Sequence, residues 1–267
     1  MKITLLGTRG SVPNPSRENY LYGGNTQCVA VTQDACNILL DAGTGLLMAP
    51  NVMQGNVYHI LLSHFHLDHI NGIPMFDPLF ESGSTVHFYA PMFEGKDVRY
   101  WMGEILRPPF WPICPDEFFA HIEYHTVMPG ESFLLEDTVL VSTIALNHPN
   151  GAMGYSLSHA GKRLCYISDH EHTPAFEKPI SAFVQNCDVM IADACYTPEQ
   201  YAKHKVGFGH SVFEDVAQLA VDAGVKQLII THHDGKNNDL SLAALEKELQ
   251  VKYPNSAFAR EDAVTTL

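Results

Sequence analysis

The sequence predicts an α/β fold in which two β-sheets pack face to face and helices cover their outer faces. Ten strand-like runs, bounded by Gly, Asn, Asp and Pro, recur through the 267 residues, whereas only four segments show helical periodicity. A β-rich part, a helix, a second β-rich part and a second helical part follow in that order, which favours two packed sheets. No linker-like stretch interrupts the chain, so residues 1–267 are predicted to form a single domain.

The strands are predicted from short apolar runs that end at turn-forming residues. In chain order the runs are KITLLG, CVAVTQ, CNILLDAG, NVYHILLSH, TVHFYAP, TVLVSTIAL, MGYSLSHAG, KRLCYISD, CDVMIADAC and KQLIITHHD.

Helices are predicted over 71–80, 94–105, 211–223 and 241–252. In the third, Ser211 and Glu214 fit a capping box, and Gly224 fits the position just after the helix end. The segment 100–119, YWMGEILRPPFWPICPDEFF, is rich in proline and aromatic residues and fits no regular element. It is either a packed surface loop or a lid that walls a pocket.

The composition limits the classes of function. With 16 Lys and Arg against 30 Asp and Glu, the net charge is −14, which disfavours broad contact with a nucleic-acid backbone. The six cysteines form no C-x-x-C pair and are expected to be free thiols in a reducing compartment. No apolar stretch is long enough for a membrane span, and the N-terminal apolar run is too short for a signal peptide. A cytoplasmic protein without membrane contact is therefore expected.

Four candidate metal ligands lie within the stretch SHFHLDHI: His64, His66, Asp68 and His69. His64 and His66 are two apart in an extended segment and point the same way, whereas Asp68 and His69 are expected to begin a helix. The stretch thus divides into two pairs. Because zinc-like ions take about four ligands, each pair needs partners from elsewhere in the chain.

Three candidate partners directly follow apolar strands: His148, Asp169 and His232. Such positions bring side chains from the edge of a sheet into a cleft. Any one of them alone would be read as an ordinary surface or core residue. Together with SHFHLDHI they predict a metal site.

In these residues the chain resembles the metallo-β-lactamase superfamily, whose signature is H-x-H-x-D-H followed by a later His, a later Asp and a last His. The resemblance implies an αββα sandwich and two metal ions. It implies His64, His66 and His148 as ligands of the first ion, and Asp68, His69 and His232 as ligands of the second. Asp169 would bridge both ions.

Two further segments resemble the RNase Z-like phosphodiesterase branch of this superfamily. FGHS at 208–211 matches a G-H-S-T segment before a helix, except that Val212 replaces Thr. IADACY at 191–196 matches a segment with Glu, here replaced by Asp193. The opening LLGTRGSVP…GGNTQ…ILLDAGTG also resembles that branch and many bacterial hydrolases near it. Because His66 is not replaced by Glu, the chain departs from the oxidoreductases of the superfamily.

The expected chemistry is hydrolysis by a hydroxide that bridges two metals about 3.5–4 Å apart, so no Ser or Cys nucleophile is needed. His210, oriented by Asp193, is the candidate that stabilises or protonates the leaving oxygen. The predicted catalytic residues are therefore Asp68, His210 and Asp193. The neighbours His170, Glu171, His172, His233 and Asp234 are expected to support the site or line its rim rather than bind metal.

The predicted substrate is a small phosphodiester, with a cyclic nucleotide as one candidate. RNase Z holds tRNA with a long Gly/Pro- and Lys-rich arm, and the sequence contains no such segment, so a nucleic-acid substrate is disfavoured. Trp101, Phe110, Trp111 and Tyr124 are candidates for stacking on a base, with core packing as the alternative role for each.

Alternatives stay open at this level. They are a thioester or lactone hydrolase of the glyoxalase II type, an RNase Z-like nuclease, and a metal-stabilised sensor that does no chemistry. Histidine and carboxylate ligands without thiolate accept Zn²⁺, Mn²⁺ or Fe. The resemblance also implies a homodimer.

Overall fold

The computed structural model describes all 267 residues, Met1–Leu267, and contains two seven-stranded sheets. The first sheet has the order β14-β1-β2-β3-β4-β5-β6. Its strands are β1 (Lys2–Gly7), β2 (Cys28–Gln33), β3 (Cys36–Leu40), β4 (Val57–Leu61), β5 (Thr85–Ala90), β6 (His121–Thr126) and β14 (Val264–Thr266).

The second sheet has the order β13-β12-β11-β10-β9-β8-β7. Its strands are β7 (Ser132–Leu135), β8 (Val139–Leu146), β9 (Ala152–His159), β10 (Lys162–Ile167), β11 (Val189–Asp193), β12 (Gln227–Thr231) and β13 (Ser256–Phe258). Both sheets are mixed, because parallel and antiparallel pairs occur in each.

Five α-helices accompany the sheets: α1 (Val98–Ile105), α2 (Pro174–Val184), α3 (Pro198–His204), α4 (Phe213–Asp222) and α5 (Asp239–Lys252). None of them is both long and apolar enough to cross a membrane.

The apolar core forms three layers. A central cluster, which includes Ile38 and Leu40 of β3 and Tyr166 of β10, fills the space between the sheets. The outer face of the second sheet packs under α2, α4 and α5, and the outer face of the first packs under α1 and short 3₁₀ turns. The predicted sandwich of two mixed sheets with outer helices is therefore confirmed.

All ten predicted strands are present, but four strands were missed. The strand β6, HIEYHT, does alternate polar and apolar residues, but only Ile122 and Tyr124 are apolar, so its signal is weaker than that of the apolar runs. The strands β13 and β14 have only three residues each, and β7 has four. Helices α2 and α3 were also missed, although each begins with a proline in its first turn, a common helix start.

The helix predicted over 71–80 is wrong. This segment forms two 3₁₀ turns, Ile73–Met75 and Asp77–Phe80. Pro74 and Pro78 stand four apart, so the ring of Pro78 would clash with the carbonyl of Pro74 in a continuous α-helix.

The capping box predicted at Ser211 is also wrong, because α4 begins after Val212 and has no side-chain cap. Ser211 Oγ instead accepts a hydrogen bond from the backbone N–H of His172 at 3.0 Å and donates one to the carbonyl of His170. The hydroxyl thus fixes the loop after β10 rather than the helix. Gly224 does follow the helix end with a φ of +69°, as predicted.

The strands that precede the candidate ligands end at one edge of the sandwich. β10, β11 and β12 are mutually parallel, and β8 runs in the same direction because β9 is antiparallel to both β8 and β10. The carboxyl ends of these strands therefore meet.

Candidate metal centre

The first cluster of candidate ligands gathers His64, His66, His148 and Asp169. Oδ2 of Asp169 lies 3.7 Å from Nε2 of His64 and 3.5 Å from Nε2 of His148. Nδ1 of His66 lies 3.1 Å from Nε2 of His148. Four donor atoms from both sheets thus surround one small volume.

The second cluster gathers Asp68, His69, Asp169 and His232. Oδ1 of Asp169 lies 3.3 Å from Nε2 of both His69 and His232. Oδ2 of Asp68 lies 3.3 Å and 3.0 Å from the same two nitrogens. The two oxygens of Asp169 therefore face different clusters, which is the arrangement that a bridging carboxylate needs.

The chemistry of the two clusters fits divalent metal ions. Nε2 of His64 and Nε2 of His69 are buried without a hydrogen-bond partner, and both belong to the converging donor sets. Such unpaired buried groups are costly unless something binds them. A tetrahedral ion with bonds of about 2.0–2.1 Å separates its ligands by roughly 3.3 Å. The separations within the clusters are close to that value.

Two opposing effects set the pKa values of the histidines in the second cluster: burial lowers them, and neighbouring carboxylates raise them. Burial alone would lower the pKa of His232, but Asp169 and Asp68 raise it to about 9. Burial would also lower the pKa of His69. The carboxylates of Asp169, Asp41 and Asp68 outweigh burial and raise this pKa well above its usual value. The carboxylates thus create a strong field for positive charge, and a bound cation would satisfy it in place of the protons.

Asp41 supports the second cluster and was not singled out in the sequence. Its Oδ2 accepts hydrogen bonds from Nδ1 of His69 at 2.8 Å and from the hydroxyl of Tyr166 at 2.6 Å. Its Oδ1 accepts from the backbone N–H of Ser63 at 2.7 Å. A carboxylate in this position fixes the ring orientation of a ligating histidine. The sequence feature that could have identified Asp41 is its position directly after the buried strand β3.

His210 and Asp193 are paired beside the clusters. Nδ1 of His210 lies 2.8 Å from Oδ2 of Asp193, and the imidazole stacks on that of His232 with ring centroids 4.8 Å apart. Because an ionised carboxylate only accepts, Nδ1 carries the proton and Nε2 remains free to act. Burial would lower the pKa of His210, but the charge of Asp193 raises it above the usual value.

The segment before His210 is held by Glu171, one of the neighbours that the sequence predicted to support the site or line its rim. Its carboxylate accepts hydrogen bonds from the backbone N–H groups of Gly207 at 2.7 Å and Gly209 at 2.9 Å, and from the hydroxyl of Tyr201. The carbonyl of Gly209 then accepts from Nδ1 of His148 at 2.9 Å. Gly209 has a φ of +86°, and a side chain there would overlap the ring of His148. One chain of contacts therefore leads from Glu171 to a candidate ligand.

The other neighbours of the ligands lie outside both clusters. Nδ1 of His170 accepts from the backbone N–H of Asn147 at 3.0 Å, and Nε2 of His233 donates to the carbonyl of Ala259 at 2.9 Å. His172 contacts Ser211 through its backbone. Asp234 belongs to neither cluster.

A cavity of about 440 Å³ opens beside the first cluster. It reaches His64 and His66, and apolar side chains form much of its wall, among them Phe65, Phe93 and Trp101. Of the four candidates for stacking on a base, only Trp101 lines this cavity. Phe110 is 78% exposed, and Trp111 and Tyr124 pack against the outer core of the first sheet. Within 100–119, the part that contains Trp101 therefore walls the cavity, and it belongs to α1 rather than to an irregular loop.

Comparison with known proteins shows which family and which fold this chain is similar to. Residues 36–233 match the family model described as the beta-lactamase superfamily domain. The sequence is 28% identical to ribonuclease Z of Picrophilus torridus, over 97% of this chain and 94% of that protein.

Two solved structures share the fold over the whole chain. Zn²⁺-bound PqqB from Methylobacterium extorquens has a TM-score of 0.76 with 15% identity, and all of both chains is covered. The short form of human tRNase Z has a TM-score of 0.74 with 20% identity, over 100% of this chain and 99% of that one.

The matched region begins in β3 and ends just after β12, so it contains every residue of the two clusters. This superfamily fold implies divalent metal ions. With its two-sheet sandwich, its converging His and Asp side chains and its sequence similarity to ribonuclease Z, the chain belongs to the metallo-β-lactamase superfamily of hydrolases.

Proposed function

We propose that the protein is a dinuclear metal-dependent phosphodiesterase that cleaves a small phosphodiester. The observation that carries this proposal is the pair His210 and Asp193, 2.8 Å apart, placed against the second cluster of candidate ligands. Phosphodiester cleavage needs a group that stabilises or protonates the leaving oxygen, and a carboxylate-oriented histidine supplies one.

In this proposal His64, His66 and His148 hold the first ion, and Asp68, His69 and His232 hold the second. Asp169, whose two oxygens face different clusters, would contribute a ligand to each ion. Zn²⁺ or Mn²⁺ suits this donor set, and Fe is also compatible. When bound, two such ions supply Lewis acidity toward the phosphoryl oxygens and activate a water molecule.

The residues of the chain then perform distinct tasks. Asp68 holds a ligand position and sets the charge of the second cluster, while Asp41 fixes the ring of His69. Asp193 accepts the hydrogen bond from Nδ1 of His210, so a second proton on Nε2 is the one that the ring can donate to the leaving oxygen. Burial lowers the pKa of His210, but the charge of Asp193 raises it above its usual value, which favours the protonated ring.

The cavity favours a small substrate. Its volume of about 440 Å³ suits a single nucleotide, its lining contains no Lys or Arg, and Trp101 offers a ring on which a base could stack. We therefore place a cyclic nucleotide among the first candidates.

The similarity to ribonuclease Z favours a second candidate, cleavage of an RNA phosphodiester, and it counts against the expectation that a nucleic-acid substrate is disfavoured. The alignment extends over 306 positions, more than the 267 residues of this chain, so the relative has inserted segments that this chain lacks. Between His148 and Asp169 this chain has only a short hairpin, which consists of β9, β10 and the turn between them.

The test is a substrate panel on the metal-loaded protein. It contains bis-p-nitrophenyl phosphate, 2′,3′- and 3′,5′-cyclic nucleotides, a tRNA precursor and a glutathione thioester, each with Zn²⁺ and with Mn²⁺. We expect activity on the small phosphodiesters. Cleavage of the precursor alone would favour the RNA candidate, and hydrolysis of the thioester alone would refute both.

The His210→Ala variant tests the proposed role of His210 in phosphodiester cleavage. General acid catalysis contributes typically about 10²–10⁴-fold, so the variant is expected to lose activity by that factor while keeping its full metal content. His204→Ala, an exposed histidine at the end of α3, is the matched control. Unchanged phosphodiesterase activity in His210→Ala would contradict the proposed role.

A further inference from the structure

A second group of histidine and carboxylate side chains lies on the inner face of the first sheet, near its β6 edge. It consists of His87 on β5 with Glu123 and His125 on β6. It shares no residue with the two clusters described above, and its side chains are 16%, 43% and 34% exposed, so solvent reaches them.

The strand geometry brings these three side chains to one point. Glu123 and His125 are two apart on β6, so both point to the same face of the sheet. β5 and β6 are parallel neighbours, with His87 directly opposite Glu123 and Tyr89 directly opposite His125. The backbone hydrogen bonds of the sheet hold these positions, so the group is preformed by the fold.

The donor atoms have the spacing of metal ligands. Nδ1 of His87 lies 3.1 Å from Nε2 of His125 and 3.5 Å from Oε2 of Glu123, and Nε2 of His125 lies 3.7 Å from the same oxygen. Ligands of a tetrahedral zinc ion with bonds of about 2.0–2.1 Å lie roughly 3.3 Å apart. The three atoms therefore outline one face of such a tetrahedron.

The surrounding residues fix the orientation of the donors. The ring of His59 on β4 stacks on His87 with centroids 4.8 Å apart, and the ring of Tyr89 stacks on His125 at 4.4 Å. Nε2 of His121 lies 3.1 Å from Oε1 of Glu123, the carboxylate oxygen that does not face the two histidines. Supporting contacts of this kind raise the affinity of a site, because less freedom is lost when the ion binds.

Charge also favours a cation at this point. Glu136 lies 3.0 Å from Nε2 of His59, so a second carboxylate stands beside the group. Nδ1 of His87 and Nε2 of His125 form a hydrogen bond in which one proton is shared between two nitrogens. A metal ion would displace that proton and engage both nitrogens as ligands.

We propose that His87, Glu123 and His125 bind one divalent transition-metal ion of the zinc type, outside the candidate catalytic centre. The three side chains supply three ligands and leave the fourth position to water. Such an ion would cross-link β5 to β6, the edge strand of the first sheet. Imidazole and carboxylate donors also accept Cu²⁺ and Ni²⁺, so the site would compete for these ions as well.

The test compares the zinc content of the full-length protein with that of the double variant His87→Ala/His125→Ala. Each protein is dialysed against the same buffered Zn²⁺ solution, and bound zinc is measured by atomic emission. We expect the double variant to hold one zinc ion per chain fewer and to keep the hydrolytic activity of the unaltered protein. His204→Ala is the control, because it removes an exposed histidine at the end of α3 that has no contact with this group, and it should keep the ion.

A second variant guards against loss of folding. Glu123→Gln changes a partly exposed side chain, and we expect it to weaken zinc binding at this site by at least about tenfold, the loss typical for altering a metal site. Equal zinc content in the unaltered protein and the double variant would overturn the proposal. So would equal zinc affinity in the unaltered protein and in Glu123→Gln.

Discussion

Asp41 shows how a single residue prepares the candidate metal centre. It is fully buried directly after β3, in a backbone conformation with a φ of +59° that non-glycine residues seldom adopt. The carboxylate accepts hydrogen bonds from both sheets, through Ser63 next to the first and Tyr166 of the second. Its contact with His69 determines which nitrogen of that ring faces the cluster.

The first prediction concerns this residue. Asp41→Asn keeps the shape but replaces one acceptor oxygen by an amide, so Nδ1 of His69 loses its charged partner. Loss of such a supporting partner typically lowers metal affinity by about 10–100-fold. Metal titration should show this weakening at one of the two ions, whereas the exposed Asp34→Asn should bind like the unaltered protein. Unchanged affinity in Asp41→Asn would contradict the role given to it.

Trp101 provides the second prediction at this scale. If a base stacks on its ring, Trp101→Ala should raise KM for a cyclic nucleotide by about tenfold or more, since stacking contributes about 1–3 kcal/mol per base. The value of kcat should change little, because the ring lies on the cavity wall and outside the ligand clusters. Steady-state kinetics decides this, with exposed Phe110→Ala as the control. A fall in kcat alone would argue against stacking.

At the scale of elements, the segment 207–211 is positioned by contacts from other parts of the chain. Glu171, in the loop after β10, holds its backbone N–H groups, and Gly209 in turn holds His148. The segment thus links the end of β8, the loop after β10 and the start of α4. His210 owes its place beside the clusters to this arrangement.

The third prediction tests that link. Glu171→Gln keeps the size of the side chain but removes its charge, which weakens both hydrogen bonds to the segment. Small displacements of catalytic groups are costly, up to about 10²-fold for 1 Å, so we expect kcat to fall by about tenfold or more. Glu199→Gln on the exposed side of α3 is the control. Equal kcat values for the two variants would show that the segment keeps its place without Glu171.

A prediction about the pH dependence of stability concerns Asp188, which lies in the connection between β10 and β11. The carboxylate of Asp188, whose side chain is 8% exposed, lies 2.8 Å from Nζ of Lys226 and 2.9 Å from the backbone N–H of Arg163. The Lys226 hydrogen bond lowers the pKa of Asp188 to about 2. Because this pKa is lower in the folded state, the stabilisation is complete above about pH 4 and is lost as the pH falls toward 2.

Asp188→Asn should therefore lower the free energy of unfolding by about 1–2 kcal/mol at pH 7, after allowance for the exposure of the lysines. The difference between variant and unaltered protein should shrink as the pH falls from about 4 to 2. Urea denaturation at several pH values measures it. A difference that stays constant down to pH 2 would rule out the charge as its cause.

At the scale of the whole molecule, the candidate centre joins the two sheets. His64 and His66 follow β4 of the first sheet, whereas His148 and Asp169 follow β8 and β10 of the second. A bound ion would therefore bridge the open edge of the sandwich. Its binding free energy adds to the stability of the folded state, because the unfolded chain has no such site.

The last prediction follows from this bridge. Each ion present at about a thousand times its dissociation constant contributes about 4 kcal/mol to stability, so removal by a chelator should lower the melting temperature clearly. Calorimetry with and without EDTA measures the shift. Asp169→Asn should reduce the shift strongly, since this residue faces both clusters. A melting temperature that is the same with and without EDTA would argue against metal bridging of the sheets.

The sequence by itself determined the two-sheet architecture and the candidate ligands, because strand runs are local and because these residues stand either close together or directly after strands. The division of the ligands between two clusters and the pairing of His210 with Asp193 were implied by the resemblance of the motifs to the superfamily. Their distances nevertheless came from the fold, as did the division of the oxygens of Asp169 between the clusters.

Only the tertiary structure showed which groups Asp41 and Glu171 hold, that Trp101 lines the cavity, and that His87, Glu123 and His125 converge. Their neighbours come from distant parts of the chain, and strand register rather than sequence spacing decides which side chains meet. The failed predictions have the same origin: Ser211 bonds to the loop at 170–172 instead of capping its own helix, and β6 carries its polar side chains on a face that only the packed sheets define. Local patterns specify which elements form, and contacts between distant segments decide what each side chain does.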